Sequence, residues 1–377
     1  MNFSFWENET YLKNIDFLII GSGIVGLSSA LELRKKFTKS KIVVCERGIL
    51  PMGASTKNAG FACFGSPTEL LDDLKIMSES QVFSLVEKRW KGLEKLKSNL
   101  SEKKIDYLPY GGYELFNDEK ILDETLSKLD YLNQNLKPIT KNKTTYLNVK
   151  NKSQEFDFQN IKGLILNQFE GQINTGKMMF NLIKLCQSKN IIVLNSLEVS
   201  HFESINNAVK VEFKNGWHLQ TKKLLITTNG FAKKLLPELN VEPARAQVLI
   251  TKPIKNLKFK GTFHYDKGYY YFRNIGNRVL FGGGRNLDFK TENTSEFGLT
   301  TKVQNSLNQL LKEVILPNTP FEIEQTWSGI MGVGSEKVPI VKKVQSNVYC
   351  AVRMGGMGIA IGSLIGEDAA KLISEDV

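Results

Sequence analysis

The sequence feature that most constrains the fold of this chain is the stretch "DFLIIGSGIVGLSSALELRKKFTKSKIVVCERG", which covers residues 16–48. An apolar run is followed by a glycine-rich turn, by apolar residues at helical spacing and by a second apolar run. Continuous apolar runs are typical of strands that are buried on both faces of a sheet. The pattern therefore predicts a strand, a turn, a helix and a parallel strand, which together make one βαβ unit.

The spacing of the glycines in "GSGIVG" indicates a phosphate-binding turn. Gly21 allows the sharp turn from strand to helix, Gly23 lets the backbone approach a pyrophosphate, and Gly26 lets the helix pack closely on the strand. The positive end of the helix dipole would face the phosphates. Glu46 ends the second strand, where a carboxylate accepts hydrogen bonds from a ribose diol and repels the 2′-phosphate of NADP. These features predict a dinucleotide site.

The loop after the second strand, "GASTKNAGFA", favours FAD over NAD. An NAD enzyme usually continues into an ordinary helix at this point. This loop instead offers the polar side chains of Ser55, Thr56 and Asn58 among small residues that leave room, such as Ala59 and Gly60. We expect it to lie along an extended cofactor, to bond the pyrophosphate and to end beneath the flat isoalloxazine ring.

These motifs resemble the D-amino-acid oxidase family of FAD flavoproteins, which includes glycine oxidase and sarcosine oxidase. The resemblance continues in the same order through "EGQINTGKMMFNLIKL", "LLITTNGFA", "PARAQVLIT", "VLFGGGR", "TWSGIMGVGSEKVPIV" and the tail "RMGGMGIA". Together the motifs and the resemblance predict the following cofactor-binding residues: Gly21, Gly23, Ile24, Val25, Gly26, Glu46, Arg47, Ser55, Thr56, Asn58, Ala59, Gly60, Phe61, Val199, Thr228, Asn229, Gly230, Gln247, Gly329, Gly355, Gly356, Met357, Gly358 and Ile359.

The resemblance implies an FAD-dependent oxidoreductase that oxidises a C–N bond of an amine or an amino-acid derivative. In the family, a hydride leaves the carbon beside a neutral amine and goes to flavin N5, and the resulting imine is hydrolysed. The flavin carries this chemistry, so the protein mainly supplies positioning and electrostatics. The expected partners are a small amine or amino-acid-like substrate and O₂ or another electron acceptor.

The substrate side departs from the family pattern. Family members that oxidise amino acids carry an arginine in the late strand that clamps the substrate carboxylate, and this chain has Met331 there. A thioether cannot make the bidentate contact of a guanidinium. Arg273, Arg285 and Arg353 are therefore the candidate clamps, unless the substrate has no carboxylate at that place. Tyr271 is the member of an aromatic run for which a role in the substrate pocket is favoured over sheet packing.

Two further positions concern chemistry at the ring. Sarcosine-oxidase relatives place a lysine near flavin N5 to activate O₂, and the resemblance puts Val279 or Leu280 at that position. A dehydrogenase that passes electrons to another acceptor is therefore an alternative to an oxidase. His264 is expected to be structural, because oxidation of an amine by a flavin needs no strong base.

The composition of the chain bears on nucleic-acid binding, metal sites, disulfides and membrane spans. The net charge of +11 comes from 50 basic and 39 acidic residues, but the lysines are spread along the chain and form no basic block. A flavoenzyme acting on a modified tRNA base is thus a less favoured alternative, and a flavoprotein without amine chemistry is another. Three scattered histidines and four scattered cysteines suggest no metal site or disulfide, and we expect a cytoplasmic protein without a membrane span.

The same patterns predict the domain organisation. We expect an α/β fold in which a Rossmann-like FAD-binding domain comprises residues 1–100, 162–241 and 325–377. A β-rich α+β substrate domain, made of residues 101–161 and 242–324, is inserted into it.

Local signals add detail to three of these segments. Residues 67–100 have a helical pattern that opens with Ser66 as an N-cap. "IDYLPYGGYELF", residues 105–116, is typical of a β-hairpin because a Gly-Gly pair separates two aromatic runs. The segment before "LLITTNG" predicts a three-stranded meander.

Overall fold

The computed structural model describes residues 2–376. The strands are β1 (Ile15–Ile20), β2 (Ile42–Cys45), β3 (Phe61–Ala62), β4 (Gly112–Phe116), β5 (Tyr146–Asn148), β6 (Gly163–Asn167), β7 (Gly171–Gln172), β8 (Ile192–Leu194), β9 (Val199–Ile205), β10 (Ala208–Phe213), β11 (His218–Ile226), β12 (Glu242–Thr251), β13 (Thr262–Tyr265), β14 (Tyr270–Ile275), β15 (Arg278–Gly283), β16 (Ile323–Val333), β17 (Ile340–Gln345) and β18 (Val348–Val352).

The helices are likewise numbered in chain order. They are α1 (Phe5–Glu7), α2 (Ile24–Lys36), α3 (Ala54–Lys57), α4 (Pro67–Asp73), α5 (Glu79–Leu100), α6 (Glu119–Ser127), α7 (Leu129–Thr140), α8 (Lys152–Glu155), α9 (Thr175–Ser188), α10 (Phe289–Glu292), α11 (Thr301–Leu310) and α12 (Gly358–Ser374). None of the helices in the described part of the chain is both long enough and apolar enough to cross a membrane.

The first sheet has the strand order β17-β18-β11-β1-β2-β8, with β1 parallel to β2 and to β11. Along β1, Phe17 and Ile19 enter the core shared with helices α2, α5, α9 and α12. Leu18 and Ile20 enter a second core on the opposite face, beneath β9 and β10. Both faces of β1 are therefore covered, which explains its continuous apolar sequence and confirms the predicted βαβ unit.

The second sheet has the order β16-β12-β15-β14-β13-β4-β6-β5 and is antiparallel except between β13 and β4. One face packs an aromatic core in which the rings of Phe263 and Phe272 stack with centroids 4.7 Å apart. Helix α11 covers this core through Val303 and Leu307. The opposite face carries a small apolar cluster that includes Val248 and Leu280. Because the first face is closed by α11, only the second face can line a cavity.

Two strands lie in a different sheet from the one that the sequence-based boundaries imply. β6 pairs with β4, and β16 pairs with β12, so both belong to the second sheet although residues 162–241 and 325–377 were expected in the FAD-binding domain. The reason is that strand pairing is decided by long-range contacts, which a local pattern does not contain.

Local structure also departs from expectation at two places, while the meander of β9, β10 and β11 is confirmed. The predicted hairpin over residues 105–116 does not form, because β6 and β13 occupy both edges of β4. The helical stretch of residues 67–100 is divided into α4 and α5, and Ser78 caps the second helix by accepting from the backbone N–H of Gln81.

Candidate functional site

A cavity of about 940 Å³ is lined by residues from both large sheets, and its volume lies in the upper range of small-molecule sites. It brings together most of the residues predicted from sequence. These are Gly21, Gly23, Ile24, Val25, Glu46, Arg47, Ser55, Asn58, Ala59, Gly60, Phe61, Val199, Thr228, Asn229, Tyr271, Arg285, Gly329, Met331, Arg353, Gly355, Gly356, Met357, Gly358 and Ile359.

The glycine turn places the N-terminus of α2 against the cavity. A Cβ atom on Gly26 would lie 2.0 Å from the carbonyl oxygen of Gly21, so only glycine permits this contact between helix and strand. The backbone N–H of Leu27 donates to the Gly23 carbonyl, and that of Ile24 donates to Ser55 Oγ at 3.0 Å. The remaining N–H groups of the first turn are available to an anion.

Glu46 is buried at the end of β2 and is held in a fixed orientation. Its Oε2 accepts hydrogen bonds from Ser22 N at 3.2 Å and Ser22 Oγ at 2.8 Å, and its Oε1 accepts one from Gly48 N at 3.1 Å. A carboxylate has about four lone-pair positions, so one remains for a diol. Next to it, the Arg47 guanidinium lies 3.7 Å from the centroid of the Phe231 ring.

The loop after β2 forms the short helix α3, and the polar side chains of this loop mostly satisfy its own backbone. Asn58 Oδ1 accepts from Gly60 N and from Thr175 Oγ1, both at 2.8 Å. Thr56 Oγ1 donates to the Pro51 carbonyl at 2.6 Å, and Thr56 does not line the cavity. The prediction that the Thr56 hydroxyl reaches the cofactor is therefore not met, because the turn uses that hydroxyl.

The chain after β18 closes the opposite side of the cavity. Asn229 Oδ1 accepts from the backbone N–H groups of Arg353 at 3.0 Å and Met354 at 3.1 Å, which ties this turn to the end of β11. A Cβ atom on Gly355 or Gly356 would meet no atom within 4 Å, so the turn is open on its cavity side. Helix α12 then begins without a side-chain cap, and its first-turn N–H groups can stabilise negative charge.

A row of paired residues crosses the second sheet on its cavity face. His264 pairs with Tyr271, Tyr271 with Gly282, Gly282 with Val248, and Val248 with Trp327. A Cβ atom on Gly282 would lie 2.7 Å from the Tyr271 ring, so the glycine lets the tyrosine lie flat over β15. Burial raises the pKa of Tyr271 to about 12, and its hydroxyl stays protonated at neutral pH.

Two of the three candidate arginines are used by the protein itself. Arg273 lies outside the cavity and its Nη1 donates to the carbonyls of Gly60 at 3.0 Å and Ile173 at 2.9 Å. Burial lowers the pKa of Arg273 to about 10, so it is still charged at neutral pH. Arg273 therefore supports the cofactor loop from behind, which corrects its prediction as a substrate clamp.

Arg353 lines the cavity, but each of the three nitrogens of its guanidinium already has a protein partner. Its Nε donates to the Val338 carbonyl at 2.8 Å, Nη1 to the Asn240 carbonyl at 3.1 Å and Nη2 to Glu336 at 2.8 Å. A substrate could bind Arg353 only by displacing these partners, so its prediction as a clamp is also corrected.

Arg285 lines the cavity, and of the three guanidinium groups it is the least tied to protein partners. It is half-buried, its guanidinium lies 4.9 Å from the Phe289 ring centroid, and its Nε has no hydrogen-bond partner among residues 2–376. Burial lowers the pKa of this guanidinium.

Three other predicted cofactor residues do not line the cavity. Side chains alternate along β12, so Ala246 and Val248 face the cavity while Gln247 points to the opposite side and donates to Glu292 Oε1 at 2.8 Å. This corrects the prediction for Gln247. Gly26 lies behind the glycine turn, and Gly230 packs against the Met331 backbone, where an added Cβ would be 2.4 Å from the carbonyl oxygen.

Sequence analysis missed a group of charged residues at one end of the cavity. Helix α4 contributes Asp72 and Asp73, which pair with Lys267 at 3.3 Å and with Lys337 at 2.5 Å. Burial raises the pKa of Asp73. The two lysines lie in loops that are far from α4 in the sequence, so no local sequence pattern predicts these ion pairs. Among the described residues, no group of three or more ligands could hold a metal ion.

The family model described as "FAD dependent oxidoreductase" (DAO) matches residues 16–372, nearly the whole chain. The chain belongs to this family of FAD-dependent oxidoreductases. It is 20% identical to a probable oxidoreductase, OrdL, of Haemophilus influenzae, with 97% of this chain and 84% of that protein covered.

Solved structures share the fold of this chain. L-proline dehydrogenase from P. horikoshii superposes with a TM-score of 0.77 at 18% identity, covering 97% of this chain and 94% of that one. Glycine oxidase from Bacillus cereus superposes with a TM-score of 0.76 at 17% identity, covering 96% of each chain.

FAD, the cofactor of the family, fits the residues that this FAD-dependent oxidoreductase presents. The two glycine turns leave the N-termini of α2 and α12 open to the cavity, and Glu46 lies beside the first of them. Thr228 Oγ1 is buried without a partner among the described residues and belongs to the cavity wall, so a ligand atom can satisfy it. The first turn of α2 and Thr228 would hold the pyrophosphate, and Glu46 the ribose.

Proposed function

We propose that this protein oxidises a C–N bond of an amino acid or of another amine that carries a carboxylate. When bound, FAD supplies the electron-accepting ring that takes up a hydride from the carbon beside the nitrogen. The observation that supports this proposal is the position of Arg285. Its guanidinium lines the same cavity as the cofactor residues and has an unpartnered donor.

The aromatic wall would hold the reacting part of the substrate. Phe61 and Tyr271 pack edge to face with ring centroids 5.8 Å apart, and both line the cavity. An apolar wall excludes water and favours the neutral form of an amine, which is the form that can lose a hydride. Met331 lies in the same wall, where the resemblance leads one to expect an arginine, so we assign the carboxylate to Arg285.

The proposal for the electron acceptor is based on the strand that the resemblance places beside the flavin ring. Val279 and Leu280 on β15 are buried apolar residues, and they stand where sarcosine-oxidase relatives have a lysine. With apolar residues at this place, the strand does not supply the lysine that assists reduction of O₂ in those relatives. We therefore propose a dehydrogenase that passes its electrons to another acceptor.

Anaerobic reduction of the FAD-loaded protein tests the proposed reaction. A panel of N-methylated, cyclic and primary α-amino acids, with matched amines that lack the carboxylate, is mixed with the protein while the absorbance of the flavin is followed. We expect bleaching by members of the carboxylate series. If neither series bleaches the flavin, the proposal is wrong.

Arg285→Met then tests the clamp, with Arg278→Met as the control. Arg278 lies on the same strand region but pairs with Glu324 and does not line the cavity. Removal of a hydrogen bond to a charged group should raise the half-saturating concentration of a carboxylate substrate about 10- to 100-fold. Amines without a carboxylate should be unaffected. An equal effect of both substitutions would contradict the assignment of Arg285.

The tRNA alternative has no support from the relatives and structures named above. A salt-dependent affinity for RNA would be needed to revive it.

A further inference from the structure

A buried carboxyl group lies directly behind the one histidine of the cavity wall. Glu170 follows β6, is only 1% exposed, and its Oε2 lies 3.9 Å from His264 Nε2. His264 on β13 is 8% exposed and lines the cavity. Nothing assigned to the cofactor or to the proposed clamp uses this pair.

The hydrogen bonds of Glu170 determine which of its oxygens can carry a proton. Its Oε1 accepts from the backbone N–H groups of Phe64 at 3.0 Å and Gly65 at 3.3 Å. An oxygen that accepts two N–H groups serves as the carbonyl oxygen of a carboxylic acid, so the proton of the neutral acid sits on Oε2. That oxygen faces His264.

The imidazole nitrogens have different surroundings. His264 Nε2 is buried and has no hydrogen-bond partner among the described residues. A side-chain rotation that brings His264 Nε2 about 1 Å closer to Glu170 Oε2 would form a hydrogen bond between them. Nδ1 is the ring nitrogen on the side of Gly268, another residue of the cavity wall. The ring itself packs edge-on against Phe61 at 5.3 Å.

Burial favours the uncharged forms of both groups. It raises the pKa of Glu170 to about 8 and lowers that of His264 to about 4. At neutral pH a carboxylic acid therefore faces a neutral imidazole. Since the acid proton points at Nε2, the proton of the imidazole must be on Nδ1.

We propose that Glu170 fixes the tautomer of His264 so that Nδ1–H is donated into the cavity, where it binds the carboxylate of the substrate. His264 is then a second substrate-binding donor beside Arg285, and Glu170 is a positioning residue that touches no substrate. This inference rests on the proposed function, because it requires that the cavity receives a carboxylate. It also replaces the expectation that His264 is merely structural.

A dependence on pH follows from this arrangement. Above its pKa, Glu170 becomes an acceptor, the imidazole proton moves to Nε2, and Nδ1 presents a lone pair that repels a carboxylate. Binding of a carboxylate should therefore weaken as the pH rises through about 8. The other titratable or charged groups near the pair are Cys63, Glu69, Arg89, Tyr107, Glu114 and Tyr146.

Glu114 is the group that most needs a control. It pairs with His264 across the sheet, and burial raises its pKa to about 7. Its carboxylate accepts hydrogen bonds from Ser66 Oγ at 3.1 Å and from Thr68 N at 3.1 Å. Within residues 2–376, no hydrogen bond joins this carboxylate to the imidazole nitrogens of His264.

The test measures the affinity of 2-methoxyacetate, which carries a carboxylate, has no amine to titrate and cannot be oxidised as one. Its dissociation constant for the FAD-loaded protein is read from the change in flavin absorbance between pH 6 and pH 9.5. We expect a rise of about 10-fold centred near pH 8, equivalent to the loss of one hydrogen bond to a charged group. 2-Methoxyacetamide, which lacks the charge, should show no such step.

Variants separate the tautomer from simple charge repulsion. In Glu170→Gln the amide oxygen can accept from Phe64 and Gly65 and the NH₂ group still donates to Nε2, so tight binding should persist at every pH. In His264→Asn the amide keeps a donor near the position of Nδ1 and loses the link to Glu170, so the step should vanish. Glu114→Gln should retain the step.

The outcomes distinguish the proposed tautomer of His264 from the proposed carboxylate substrate. A pH step that survives in His264→Asn would show repulsion by the Glu170 charge alone and would overturn the tautomer argument. Binding without any pH step in the wild type would overturn it as well, while leaving the assignment of Arg285 in place. No binding of 2-methoxyacetate at any pH would refute both this inference and the proposed carboxylate substrate.

Discussion

Replacement of Gly26 by alanine is the most direct test of how the cofactor site is built. The new methyl group would lie 2.0 Å from Gly21 O and 2.7 Å from Thr227 Oγ1. A carbon and an oxygen approach without strain to about 3.3 Å, so α2 must move by about 1 Å. Overpacking of this kind costs about 1–3 kcal/mol. If the helix N-terminus takes up the movement, the affinity for FAD should fall about 5- to 150-fold, because 1.4 kcal/mol corresponds to a factor of ten.

The assay is titration of the apoprotein with FAD, followed by the quenching of flavin fluorescence, together with a thermal melt of each variant. Gly176→Ala in α9 is the matched control, since its nearest non-neighbouring atom would be 3.5 Å away. The control should bind FAD normally and gain up to about 1 kcal/mol in stability from helix propensity. Equal FAD affinity in the two variants would refute the argument that close packing at Gly26 positions the phosphate site.

Three further predictions concern buried charges. Glu46→Gln should weaken FAD binding about 10-fold, because the amide NH₂ must face one of the N–H or O–H donors that the carboxylate accepts; fluorescence titration of FAD measures this. Arg273→Met should lower the melting temperature of the apoprotein as well as of the FAD-loaded protein, because Gly60 O and Ile173 O lose their donor; an effect confined to substrate affinity would instead restore Arg273 as a clamp. The contribution of Glu170 to the free energy of unfolding should fall between about pH 5 and pH 8, since its pKa is about 8 in the folded protein against 4.5 ordinarily, so this group takes up a proton on folding in that window. Glu170→Gln should remove that contribution, so the difference in unfolding free energy between wild type and variant should change with pH across this window in chemical-denaturation curves, and a constant difference would contradict the raised pKa.

The glycine turn and its neighbouring acidic residue could be predicted from sequence because they are close to each other in the chain. The turn Gly21–Gly26 and the carboxylate of Glu46 belong to one βαβ unit, and the distances between them are set by standard geometry. The residues from Gly355 to Ile359 also line the cavity, and their sequence repeats the pattern of a strand, a glycine turn and a helix.

The substrate side could not be predicted in the same way. The sequence gives the three arginines equal weight, and their positions and hydrogen bonds in the folded chain separate Arg285 from Arg273 and Arg353. Gln247 was misplaced because alternation along β12 fixes only which side chains share a face, and the register of the sheet decides which face is inside.

The sequence alone therefore indicated the fold class, the cofactor and the glycine turn beside Glu46, because the motif that carries them lies within one βαβ unit. The tertiary structure alone decided which cation is free to bind a substrate and that Glu170 stands behind His264. Glu170 lies in the connection after β6 and His264 lies on β13, and their proximity depends on how β4 pairs with β6 and β13. Such pairings are selected by burial and packing over the whole sheet, and no short stretch of sequence carries that information.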